Sequence, residues 1–247
     1  MCYHTRITES VANLENRFKA SLHKESTRLL FDKPKYHLNG FAHPNMLVIP
    51  QQKPEVLAPG IWGIVPENKQ PDEIKPYYKE AVKFGSGLNA QSEKLFDHFI
   101  YREVALTQRC LIPVTGFFEP HTHQKKKFPF YIHRSDHETM SLAGIYTNIG
   151  AYITFSILTK KASSLFEKIH NIKKRQPVIL NPETERKWLD NSLSKAIINE
   201  IIMQPYDDEL LEAYTVSKDL YNSRLESNVE SIAEKVIYPE LENTTLF

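Results

Sequence analysis

Cysteine is scarce in this chain of 247 residues, which holds only Cys2 and Cys110. The two lie far apart, with no CxxC spacing and no paired framework. That pattern excludes a disulfide scaffold, argues against a structural zinc site and suits a reducing compartment. An excess of one charge is also missing, since 31 Lys and Arg stand against 30 Asp and Glu. Any contact with nucleic acid must therefore come from a local basic face rather than from an overall basic protein. The first twenty residues carry charges throughout and contain no apolar h-region, and no later run approaches the length that spans a bilayer. The expectation is a soluble, cytoplasmic protein. Internal repeats and low-complexity segments are absent as well. With 41% hydrophobic residues the chain buries a real core, and a single domain over residues 1–247 is expected.

What is present reads as α+β, with one β-rich, barrel-like core flanked by helices. Val11, Leu14, Phe18 and Leu22 recur at helical spacing and predict an amphipathic helix capped by Thr8. Short buried strands are expected at 46–49 (MLVI) and 61–65 (IWGIV), followed by a polar, proline-punctuated surface loop over 67–80. A helix starts near Ser92. CLIPVTGFFE, KFPFYIHR, TMSLAGIY and AYITFSILT then form four β-rich segments. Behind them come a helix ending near His170, a strand at PVIL, helices over 183–189 and 194–203, and a last strand over 213–216.

The opening MCYHTR places a thiol directly after the initiator methionine. Removal of Met1, usual before a small side chain, gives Cys2 an α-amine and a thiol on one carbon. Such a 1,2-aminothiol attacks a carbonyl through sulfur or condenses with an aldehyde through both atoms. Three further stretches set ionisable groups against apolar runs. In LNAQSE, Asn89 follows a Gly-Ser-Gly turn; the plain reading is a helix-entry turn. In RCLIPVTGFFEPH, Glu119 follows Phe117 and Phe118; it is either a surface strand end or a carboxylate whose proton affinity is raised by a dry pocket, as a proton shuttle needs. In IHNIKKRQPVIL, His170 precedes a basic cluster, and a lone histidine is more often structural than catalytic.

Taken in order, these stretches resemble the SOS response-associated peptidase family, also described as abasic-site shield proteins. The counterparts are Cys2, Pro44 within NGFAHP, Trp62-Gly63, Asn89-Ala90 with Glu93, Arg109-Cys110 through Glu119, and His170 with Arg175-Gln176-Pro177. The resemblance covers most of the chain and is looser after about residue 217. It implies a protein that joins Cys2 covalently to the aldehyde of an abasic site in single-stranded DNA, with no cofactor or metal and as a monomer. The free α-amine, with a pKa of roughly 7.7, forms a Schiff base near neutrality, and the Cys2 sulfur closes a thiazolidine. By the same resemblance Glu119 is the acid/base, His170 assists at the sugar oxygen, and Asn89 holds the Cys2 main chain or the ribose. Peptidase-like removal of Met1 and an abasic-site lyase step are further expectations.

For DNA, the expected phosphate contacts are Arg6, Lys173, Lys174 and Arg175, with Gln91 also expected at the DNA surface, while Lys125 to Lys127 form a solvated loop. Pro44 belongs to the same expected surface, and Trp62, Phe117 and Phe118 are candidate stacking platforms, with a core role as the alternative for each. The sequence departs from the family pattern at Tyr3 (glycine), Gln91 (arginine) and Pro120 (tryptophan), and three extra residues separate His170 from the Arg-x-Pro element. Loss of the arginine removes a charged contact worth on the order of 1.5 to 3 kcal/mol. Two rival classes remain: an N-terminal-nucleophile amidohydrolase or glutamine amidotransferase, for which HLNG at 37–40 is a faint cue, and a non-catalytic single-strand-binding module. A net charge of +1 predicts a shallow dependence of DNA affinity on salt. A titration of log affinity against log salt as steep as that of a highly basic binder would contradict it.

Overall fold

The computed structural model describes residues 2–242. In chain order its elements are β1 (His4–Ile7), α1 (Val11–Phe18), β2 (Ser21–Leu22), α2 (Arg28–Asp32), β3 (Lys35–Asn39), β4 (Asn45–Pro50), β5 (Val56–Trp62), α3 (Ile74–Ala81), β6 (Asn89–Gln91), α4 (Tyr101–Val104) and β7 (Arg109–Val114). They continue as β8 (Gly116–His123), β9 (Lys126–Arg134), β10 (Met140–Ile149), β11 (Tyr152–Lys161), α5 (Ser164–Ile169), β12 (Arg175–Pro177), β13 (Ile179–Leu180), α6 (Pro182–Trp188), α7 (Lys195–Met203), β14 (Leu211–Thr215) and α8 (Pro239–Glu242).

The barrel expected from the run of β-rich segments is present and closes on itself. Strands β5, β4, β7, β10 and β11 pair antiparallel in that order, and β11 returns to β5 in parallel from Ile153↔Gly60 to Phe155↔Trp62. Closure leaves the five core strands without a free edge. A second sheet has the order β14-β9-β8-β1-β3. One apolar cluster, including Met46, Trp62, Cys110, Phe117, Phe130 and Phe155, joins the barrel to this sheet. Another joins the barrel to the helices through residues such as Leu14, Tyr101, Trp188 and Ile201. Here Arg109 is fully buried, and its guanidinium donates to the carbonyls of Trp188, Ala105, Leu106 and Asp190. Burial lowers its pKa to about 10, so an ordinarily permanent cation is held by carbonyl dipoles at a cost in proton affinity.

Several sequence boundaries shift for local physical reasons. Ser10, not Thr8, caps α1, its hydroxyl accepting from the Asn13 amide at 3.2 Å. The helix ends at left-handed Lys19, so Leu22 belongs to β2. The stretch 67–80 is not all loop: Gln70 and Glu73 form a capping box and α3 follows. Pro76 is tolerated there because the first helical turn needs no donor from it. The expected strand at 61–65 instead runs Val56–Trp62, and only a single 3-10 turn, Ser92–Lys94, forms where a helix was expected. CLIPVTGFFE is two strands in different sheets, divided at Thr115.

The C-terminal segment packs on the outer face of the second sheet. Ile232 and Ala233 join Phe118, Tyr131, Val216 and Leu220. Asn228 Oδ1 accepts from the amides of Tyr36 and His37 at 2.8 and 3.2 Å, which satisfies part of the exposed edge of β3. Beneath it His37 lies 2.7 Å from the Ser227 hydroxyl and 2.8 Å from the His4 ring. Burial, with the neighbouring His37 and Lys127, lowers His4 to about 3. Burial lowers His37 to about 4, against a small opposing pull from Glu226. Both histidines fold neutral, so their contribution to stability is complete above the unfolded value near 6.5 and is lost as pH falls towards 4. Urea titrations should give a midpoint that drops steeply between pH 6.5 and 4, and a His4→Gln/His37→Gln variant should flatten that slope. An equal slope in the variant would place the proton uptake elsewhere.

Candidate active site

The site is built around β1, which runs between β3 and β8. His4 pairs with Asn39 on one side and Phe118 on the other, and Thr5 pairs with Leu38 and Phe117. Cys2 stands two residues before this doubly bonded segment and is fully buried. Its Sγ lies 3.8 Å from the carbonyl oxygen of His4. Met1 lies outside the described residues.

Side-chain alternation along β8 brings Glu119 to the same face as Phe117, the face turned to the cluster that contains Cys2. Pairing of β8 with β1 ends at Phe118, so Pro120 falls where the inner neighbour has stopped. Its outer partner is Pro129, and two residues without N–H groups oppose each other. Helix α5 packs over β8, with Phe166 stacked on Phe117 at 5.9 Å. His170 ends this helix, and its Nδ1 lies 2.9 Å from the Arg175 carbonyl and 3.8 Å from a Glu119 carboxylate oxygen. The carbonyl contact sets the hydrogen on Nδ1, making Nε2 the acceptor nitrogen.

The Gly-Ser-Gly turn delivers Asn89. Gly87 is left-handed at φ 66°, and a Cβ there would meet the Ile64 carbonyl oxygen at 2.5 Å, so both conformation and contact require glycine. The chain emerges as β6, paired in parallel with β11 at Asn89↔Ile157 and Gln91↔Thr159. Asn89 Nδ2 donates to the Cys2 carbonyl at 2.8 Å, while its buried Oδ1 has no hydrogen-bond partner among the described residues. Cys2, Asn89, Glu119 and His170 therefore converge from four separate parts of the chain.

The electrostatics follow from burial. Desolvation pushes the Cys2 thiol well up, and the Glu119 charge pushes in the same direction. Desolvation lowers His170, partly offset by Glu119. A cysteine in this setting is a thiol, not a standing thiolate, and its reaction needs a base.

The expected DNA contacts fare unevenly. Trp62, Phe117 and Phe118 are fully buried and offer no stacking face; the core alternative holds for all three. Trp62 instead donates from Nε1 to the Leu88 carbonyl at 2.9 Å, buttressing the strand entry to Asn89. Arg175 is already engaged by Glu93 through two bonds of 3.0 and 2.8 Å and by the Thr159 carbonyl at 2.8 Å. Arg6 donates to the Tyr131 hydroxyl at 3.3 Å and lies over the Tyr36 and Tyr131 rings. Gln91 and Pro44 are half-buried, Gln91 opposite Thr159, and Lys173 and Lys174 are exposed beside His170. Two features escaped the sequence reading. Strand β1 is four residues long, too short for a periodic signal, and Thr159 joins Gln91 and Arg175 only through the sheet. Among the described residues no group of His, Cys, Asp and Glu suits a metal ion, and no helix is long and apolar enough to cross a membrane.

A closed barrel with an added sheet that carries the N-terminal strand defines a known architecture. A crystal structure of a Bacteroides thetaiotaomicron protein superposes with a TM-score of 0.82 at 29% identity, covering 96% of this chain and 100% of that one. A Bordetella bronchiseptica protein shares the fold, with a TM-score of 0.70 at 23% identity, over 87% of this chain and 100% of that one. A family model described as SOS response associated peptidase (SRAP) matches residues 1–223, and the chain belongs to that family. Among its relatives, the abasic site processing protein YoqW of Bacillus subtilis is 30% identical over 177 residues, 69% of this chain and 73% of that protein. The abasic site processing protein YMR114C of Saccharomyces cerevisiae is 28% identical over 195 residues, 75% of this chain and 48% of that protein.

Complete burial of Cys2 and Cys110, each with its thiol pushed up, predicts slow alkylation of the folded chain that still carries Met1. Iodoacetamide labelling followed by mass spectrometry should show both thiols modified at least about tenfold faster in urea than in buffer. Rapid labelling of Cys2 in buffer would contradict the burial.

Proposed function

We propose that this chain processes abasic sites in single-stranded DNA by forming a covalent bond through Cys2 after removal of Met1. The observation that carries the reading is the convergence on Cys2: Asn89 holds its carbonyl, and the Glu119–His170 pair stands on the adjoining face. The family membership and the relatives named abasic site processing proteins support the same substrate class.

In the proposed reaction the α-amine of Cys2 adds to the C1′ aldehyde of the ring-opened sugar. The carbinolamine loses water to give an imine, and the thiol adds across that C=N bond. Sulfur bonds to carbon, its proton passes through a base to nitrogen, and the product is a five-membered thiazolidine. One residue must supply both atoms, which explains a cysteine at the second codon. Glu119 is the group proposed to move these protons, and a buried thiol with a raised pKa needs it. His170, fixed through Nδ1 by the Arg175 carbonyl, is proposed to serve the sugar oxygen. Asn89 is a positioning residue for the Cys2 main chain. Removal of Met1 by the same groups, and cleavage of the abasic strand, are finer parts of the proposal.

Denaturing electrophoresis of processed protein with a uracil-glycosylase-treated single-stranded oligonucleotide tests it. A shifted, heat-resistant band is expected with the wild type and none with Cys2→Ala. Glu119→Gln should slow its formation by about 10²-fold or more. Undiminished product from Cys2→Ala would remove the central assignment.

A further inference from the structure

We propose that Tyr3 and Phe41 form an aromatic step beside Cys2 on which a base flanking the abasic sugar stacks. This rests on the reaction proposed above and names how its substrate is held. The two rings lie 4.8 Å apart with their planes at 34°. Phe41 is 49% exposed, whereas the aromatics expected to stack, Trp62, Phe117 and Phe118, have no exposed surface. Tyr3 is the direct neighbour of Cys2, and burial, with the nearby Glu119 charge, raises its pKa.

The step is built before any ligand arrives. The Gly40 amide donates to the Tyr3 carbonyl at 2.8 Å, joining the turn to the N-terminal strand. The Phe41 amide donates to Asn39 Oδ1 at 3.1 Å, and the His43 amide donates to the Gly40 carbonyl at 2.8 Å. His43 is left-handed at φ 49°, its ring stacked on Tyr78 at 3.5 Å and its Nδ1 2.8 Å from the Trp62 carbonyl. A Cβ on Gly40 would come within 3.2 Å of the Trp62 indole, so the turn packs closely against that buried ring. Buried Trp62 thus backs the turn that carries Phe41.

Loss of a base leaves its neighbour without one stacking partner, and an aromatic face replaces that partner whatever the neighbour's identity. The family pattern has glycine after the cysteine, so Tyr3 supplies here a ring that the pattern lacks.

The test uses oligonucleotides with 2-aminopurine directly 5′ or 3′ of a tetrahydrofuran abasic analogue, which cannot form the covalent bond. Processed wild type should quench the fluorophore on one side. Phe41→Ala should abolish the quenching and weaken binding by about tenfold, while Phe41→Tyr restores both. On a true abasic site, Phe41→Ala should need about ten times more protein for half-maximal covalent product, and replacing the flanking base with a second tetrahydrofuran should erase the difference from wild type. Unchanged quenching and unchanged half-saturation in Phe41→Ala would overturn the step. If wild type gives no Cys2-dependent product but its quenching is lost in Phe41→Ala, the step stands and the covalent reading fails.

Discussion

Everything at the candidate site depends on β1 being an interior strand. A terminal segment paired on one edge would fray, and its first residues would sample many positions. Here His4 and Thr5 are bonded to β3 and to β8 at once. The entropy of ordering the N-terminus is thus met by sheet hydrogen bonds rather than by contacts of Cys2 itself. Cys2 is left just beyond the last paired residue, where the Asn89 amide takes its carbonyl. The same register sets Glu119 one residue past the end of the β8 pairing, so strand alternation turns its carboxyl toward Cys2.

Buried charge is treated differently here than elsewhere in the chain. Glu185 is buried against Arg17, which binds it through two bonds of 2.9 and 2.8 Å, with Ser141 at 2.7 Å. Arg109 is buried within a cage of carbonyls. Each is matched by groups that keep it charged, as structural burial requires. At the site, burial raises the Cys2 thiol, with the Glu119 charge pushing the same way, and lowers His170 against the opposing pull of Glu119. A carboxylate and an imidazole beside a protonated thiol are the groups that the proposed condensation would use to move its protons.

Legibility in the sequence follows from the range of the interactions. The barrel strands announce themselves because long, apolar, β-branched runs need no knowledge of their partners; Asn89, Glu119 and His170 are marked by polar groups set against such runs, and Cys2 by its place directly after the initiator methionine. What escaped depended on distant pairing. Thr115 looks like any other residue within CLIPVTGFFE, yet the chain changes sheets there. Lys19 ends α1 by adopting a left-handed backbone, which its identity does not signal. The aromatics near the site were read as either platform or core, and burial decides for core at Trp62, Phe117 and Phe118. Exposed Phe41 carried no signal because NGFAHP has no period.

The three departures from the family pattern also become coherent once placed. Pro120 replaces an aromatic at a position facing Pro129, where neither residue has a donor to leave unpaired, so the change costs the sheet nothing. Gln91 replaces a cation opposite Thr159, the residue whose carbonyl and hydroxyl receive Arg175. Tyr3 adds a ring where the pattern has none, against Phe41. The cation and indole of the family pattern are thus absent, and an aromatic pair stands next to Cys2. On the proposed function, that exchange would shift the balance of strand binding from phosphate attraction towards stacking, in keeping with a chain whose net charge is only +1.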